Sequence, residues 1–146
     1  NGADFYGKKM FAEAVKEFTL AIEADPGFAQ AYYKRGLSYQ SMGKLEKAIE
    51  DFSRVIALAS QEAEVYYNRG IAYYYSDDLD RAIADWNRAI EISPDSAQIY
   101  QKRAHAYLLK NDYPKSWAHV HQLQNLGYEP DPKFLEELKR ASGRSE

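Results

Sequence analysis

The segments YYKRGLSYQ (32–40), YYNRGIAYY (66–74) and YQKRAHAYL (100–108) superimpose when the chain is slid against itself by 34 residues. The segments behind them superimpose at the same shift: FAEAVKEFTLAIEADP from Phe11, LEKAIEDFSRVIALAS from Leu45, LDRAIADWNRAIEISP from Leu79 and YPKSWAHVHQLQNLGY from Tyr113. Four units of one repeat therefore span 1–28, 29–62, 63–96 and 97–130. The first enters the repeat at its seventh position, so its opening helix is expected to lack six residues. A fixed period of this length marks a stacked array, in which each unit shares its apolar face with its neighbours.

The apolar spacing inside a unit is helical. Tyr66, Ile71, Tyr73 and Tyr74 are followed, after a polar break, by Leu79, Ala82, Ile83, Trp86, Ala89 and Ile90. Each unit thus reads as two antiparallel helices. The breaks carry turn chemistry: MGK around Gly43, SDD at 76–78, KND before Tyr113, and the Asp-Pro and Ser-Pro pairs at Pro26 and Pro94. Pro114 suits the first turn of a helix, where its missing N–H is no loss.

This period, with aromatic, Gly, Tyr, Ala, Phe and Pro at fixed offsets, resembles the tetratricopeptide repeat. In the third unit Tyr66 replaces the signature Trp, and Gly70, Tyr73, Ala82, Trp86 (for Phe) and Pro94 stand at the expected spacing. The second unit has Tyr32, Gly36, Tyr39, Ala48 and Phe52, with Ser60 where Pro is expected. The fourth departs most, with Ala104 for Gly, Ser116 for Ala and Val120 for Phe. The resemblance implies an all-α fold, a right-handed superhelical solenoid of antiparallel helix pairs whose first helices line a concave groove. The small residues at 36, 70 and 104 and at 48, 82 and 116 are expected to let the two helices of a pair approach closely.

After the last repeat, Asp131 reads as an N-cap, Pro132 as a first-turn residue and Gly143 as a stop, giving a closing helix over 131–143. Its stripe of Phe134, Leu135 and Leu138 would cover the exposed end of the array, as a solenoid requires.

Composition narrows the function. The 146 residues carry a net charge of -3, which argues against a nucleic-acid partner, since that affinity rests on neutralised phosphates. There is no cysteine, and no apolar run reaches the roughly 18 residues of a membrane span. Of the three histidines, His119 and His121 stand at i and i+2 on a helix and point to different sides, so no metal site is expected. No catalytic constellation or cofactor motif is present, which predicts a non-enzymatic module whose partner is another protein or peptide segment. Self-association through the array ends is the alternative. The sequence does not assign a compartment.

Two patterns bear on a site. Arg35, Arg69 and Arg103 recur with the repeat, as do the acids Glu17, Asp51 and Asp85. Pairing within a repeat would set Arg103 against His119, so each arginine is predicted to pair with the acid 18 residues earlier: Arg35 with Glu17, Arg69 with Asp51, Arg103 with Asp85. The rival reading is a cradle for an acidic ligand. The 13 tyrosines supply the second pattern, because the first helices carry two stripes. One, through Tyr32, Gly36 and Tyr39, packs on the second helix. The other predicts a groove lined by Tyr33, Lys34, Leu37, Tyr67, Asn68, Ile71, Tyr74, Tyr75, Lys102 and His105, with Gln98 and Gln101 in the same stripe. Packing between neighbouring first helices is the alternative for Leu37 and Ile71; the fold is not expected to require Tyr33, Tyr67 and Tyr74. One tetratricopeptide subfamily grips a chaperone's terminal carboxylate with five Lys, Asn and Arg residues. Here only Asn68 matches, the other positions holding Tyr33, Leu37, Gln98 and Lys102, so that clamp is not expected.

Overall fold

The computed structural model of the protein describes residues 2–58 and 61–144, and all regular structure among them is helical. The helices are α1 (Gly2–Ala24), α2 (Ala29–Ser41), α3 (Leu45–Leu58), α4 (Ala63–Tyr75), α5 (Leu79–Ile92), α6 (Ala97–Leu109), α7 (Tyr113–Asn125) and α8 (Pro132–Ser142). Helices α2 and α3, α4 and α5, and α6 and α7 pair within repeats, each pair stacks on its neighbour, and α8 closes the array against α7. Ser60, the variant at the proline position, lies outside the described residues.

The turns within repeats follow from three residues in one register. Gly43, Asp77 and Asn111 all have positive φ, at 73°, 61° and 60°. Glycine enters this region without steric cost, and Asp and Asn tolerate it best among the other residues. In the first unit the same register holds Lys9, and there the structure departs from the expected remnant of a separate opening helix: α1 runs unbroken from Gly2 to Ala24. The side chains of Asp78 and Asp112 then cap α5 and α7 by accepting from the amides of Arg81 and Lys115.

The close crossing is where the fold is decided. A Cβ on Gly70 would lie 2.4 Å from the Trp86 indole nitrogen, and one on Gly36 would lie 2.8 Å from the Phe52 ring. Both rings are fully buried. In the fourth repeat the small residue grows by a methyl, to Ala104, and the aromatic shrinks to Val120; both are buried in one cluster with Trp117, Phe134 and Leu138. The two departures from the repeat pattern therefore compensate each other. The closing helix forms as its sequence implies: the Asp131 carboxylate accepts from the Phe134 amide at 2.9 Å, and Gly143 ends the helix at a φ of 68°.

Gly70→Ala should destabilise the protein by about 1–3 kcal/mol, since the indole it meets has no room to retreat. Trp86→Val should cost about 3 kcal/mol alone. The double variant, which copies the fourth repeat, should lose less than the sum by at least about 1 kcal/mol in chemical denaturation; strict additivity would contradict the compensation.

Candidate partner-binding groove

The arginine column is paired, though not as the sequence suggests. Arg35 donates to both carboxylate oxygens of Asp51 at 2.8 Å, and Arg69 to both of Asp85 at 2.8 and 2.7 Å. These bonds lie within a repeat, and Glu17 is exposed at the surface of α1. The predicted ladder to Glu17, Asp51 and Asp85 is thus wrong by one repeat. The cause is the close crossing: the acid precedes the aromatic that meets the glycine, so it stands opposite the arginine that precedes the glycine. What runs between repeats is the third bond of each guanidinium, to Thr19 from Arg35 and to Ser53 from Arg69, at 3.1 and 3.0 Å. Each guanidinium is also flanked by two tyrosine rings, Tyr32 and Tyr39 or Tyr66 and Tyr73, at 5.6 to 5.9 Å. Among the described residues no acid pairs with Arg103, and His119 stands in the acid's register within reach of its charge. With Arg35 and Arg69 saturated by carboxylates and hydroxyls, the cradle for an acidic ligand has no support.

The second stripe has its own order. Asn68 bridges two first helices: its amide donates to the Tyr33 hydroxyl at 3.0 Å, and its backbone carbonyl accepts from Gln40. Burial, with Glu64 accepting from the hydroxyl, raises Tyr33 above the ordinary phenol range. Its ring lies 5.9 Å from that of Phe52, and Tyr74 lies equally far from Trp86. The Tyr67 carbonyl accepts from the Trp86 indole at 3.2 Å. Tyr33, Tyr67 and Tyr74 are half-buried and their side chains pack against the core clusters, contrary to the expectation that the fold does not require them. Leu37 and Ile71 also pack against the core clusters, Lys34 is exposed, and Tyr75 is the most open of the tyrosines named, at 64%.

Among the described residues three clefts open along this stripe, a small one of about 250 Å³ by Glu64, Tyr67 and Gln98 and two larger ones. One, of about 390 Å³, lies against Gln30, Tyr33, Glu64 and Val65. The other, of about 420 Å³, has Tyr67, Gln98, Gln101, Lys102 and His105 on one side and Lys133, Phe134 and Glu137 of α8 on the other. The closing helix thus doubles as a groove wall. His105 shares a hydrogen bond of 2.8 Å with the Tyr74 hydroxyl and meets the Phe134 ring edge-on at 5.7 Å. Burial holds its imidazole below the ordinary range, so it is neutral near pH 7. Of the ten residues read from the sequence, Tyr67, Lys102 and His105 share this cleft, while Tyr33 lines the other larger one. The contribution of α8 was not read, because its apolar stripe has a sufficient explanation as an end cap.

Among the described residues, no group of three or more His, Asp or Glu side chains could hold a metal ion, and no helix is long and apolar enough to cross a membrane.

The fold and its pairing define an α-helical repeat protein. The tetratricopeptide-repeat family model matches residues 29–61 and 63–96, and the chain is a tetratricopeptide-repeat protein. No curated protein matches it. Among solved structures, MamA superposes with a TM-score of 0.80 at 24% identity, covering 91% of this chain and 79% of its own. YrrB, described as a tetratricopeptide protein with an unusual peptide-binding site, gives 0.79 at 14% identity, covering 92% and 69%. The first tetratricopeptide domain of Spaghetti (RPAP3), bound to the HSP90 peptide SRMEEVD, gives 0.69 at 21%, covering 79% and 90%. At these identities the likeness is one of fold.

Asp85→Ala should cost about 3 kcal/mol, because it strands the Arg69 guanidinium in a largely buried position. Asp80→Ala removes an exposed first-turn acid and its pair with Lys110 and should cost less than about 1 kcal/mol. Equal losses would contradict the clamp.

Proposed function

We propose that the chain is a non-catalytic adaptor that holds an extended or helical segment of a partner protein in its concave groove. The observation that carries this is the cleft between α6 and α8, where amide, aromatic and both cationic and acidic groups converge. Gln98 and Lys133 are exposed there, and Gln101, Lys102 and His105 are half-exposed. Tyr33, Lys34, Leu37, Asn68, Ile71, Tyr74 and Tyr75 continue the strip over the first helices. The strip mixes aromatic area with amide donors and acceptors, a composition suited to a peptide with its own backbone groups to satisfy. That YrrB has a peptide-binding site, and that the Spaghetti domain holds a peptide, supports the reading.

A second reading, self-association through an array end, has one observation in its favour. Met10 and Leu20 of α1 are 70% and 65% exposed. Ala14, Phe18 and Ala21 remain partly exposed although they stand in register with the buried Ala48, Phe52 and Val55. Sedimentation velocity across a range of concentrations separates the readings: a constant monomer removes self-association.

The groove itself is tested by capture from an extract of the source organism with quantitative mass spectrometry. Gln98→Ala/Gln101→Ala/Lys102→Ala, which changes no buried residue, should fold normally and lose at least about tenfold of the captured partner. Glu46→Ala/Glu50→Ala, on the exposed side of α3, should retain it. The reverse pattern would place binding on the outer face.

A further inference from the structure

In the second and third repeats a buried carboxylate closes the crossing, but in the fourth His119 stands in its register. The Arg103 Nε is buried there and has no hydrogen-bond partner among the described residues. The imidazole is itself only 8% exposed. It stacks on Tyr107 at 5.4 Å, lies 6.3 Å from Tyr100, and its Nδ1 bonds the Gln122 side-chain oxygen at 3.0 Å. Among the described residues the charged and titratable groups facing it are Arg103, Tyr100 and Tyr107, all from α6; Lys115 of α7 stands over the Tyr107 ring. None of these can neutralise a second positive charge.

We propose that the fourth repeat and its cap form an acid-labile unit, in which protonation of His119 against Arg103 opens α6, α7 and α8 while the second and third repeats stay closed. Burial, and next the Arg103 guanidinium, hold the imidazole at about 4 in the folded protein against an ordinary 6.5; the Gln122 bond opposes this only in part. Below pH 6.5 the opened state therefore takes up a proton that the closed state refuses. Stability is full above 6.5 and is lost as the pH falls toward 4, the opening constant growing by about 300-fold in total. The opening stays at this end because repeats in an array are held mainly by their neighbours, and on its far side the fourth repeat packs on the single helix α8 instead of a helix pair. The cap follows: Phe134 and Leu138 pack on Trp117 and Val120, and the Trp117 indole donates to Ser142 at 3.1 Å. Loss of α8 would also remove one wall of the cleft it shares with α6.

The two tryptophans report one repeat each, Trp86 the third and Trp117 the fourth. Urea titrations of the native chain at pH 7 and pH 5, following both indole N–H resonances by NMR, should show the Trp117 midpoint falling further than that of Trp86. His119→Gln should remove most of the difference, and His105→Asn, which takes away the half-buried imidazole of α6, should remove less of it. Equal shifts of both resonances, or a difference undiminished in His119→Gln, would overturn the proposal. The ring titration of His119 in the native protein is a readout that needs no variant: a midpoint well below 6 is expected, and one near 6.5 would overturn it.

Discussion

The structure depends on how closely two helices cross. At Gly36 and Gly70 the backbone of a first helix lies against the ring of Phe52 or Trp86, with no space for a methyl group. Once the helices are that close, the arginine beside the glycine stands opposite the acid beside the aromatic, and a two-pronged ion pair forms with little choice of geometry. The tyrosines on either side of the arginine enclose it. The other side of the first helix then faces away from its partner, toward the concave surface.

This order explains why one interaction holds both the repeat and the array. The carboxylates of Asp51 and Asp85 tie helix to helix within a repeat, and the remaining guanidinium bonds to Thr19 and Ser53 tie it to the repeat before. A buried arginine is costly unless it is satisfied, so each pair favours this arrangement over a slipped one. The fourth repeat relaxes the rule twice. It accepts alanine by shrinking the opposing ring to valine, and it keeps the arginine after losing the acid.

The repeat, the helix pairs, the small-residue crossings and the closing helix were legible in the sequence. Each rests on periodicity or on local chemistry, as with Asp131, Pro132 and Gly143, and local chemistry does not depend on the rest of the fold. The partner of each arginine was not legible, since Glu17, Asp51 and Asp85 share the arginines' period and any whole-repeat shift fits the pattern equally well. Distance alone decides between them. Nor could the sequence show that Tyr33 and Tyr74 rest on core rings, because a helix face has no fixed depth until its neighbours are placed. The unbroken α1 is a third case: Lys9 holds the register of Gly43, Asp77 and Asn111 without their tolerance of the left-handed region. The part of the groove least visible beforehand is its α8 wall, where Phe134 serves the end cap and the cleft together.

The claim that the concave face holds the partner is tested most directly by site-specific photocrosslinking. A photoreactive phenylalanine analogue at Gln101, in the cleft between α6 and α8, should give a discrete crosslinked species in an extract of the source organism; the same group at Glu50, exposed on α3, should give none. A crosslink at Glu50 and none at Gln101 would contradict the account.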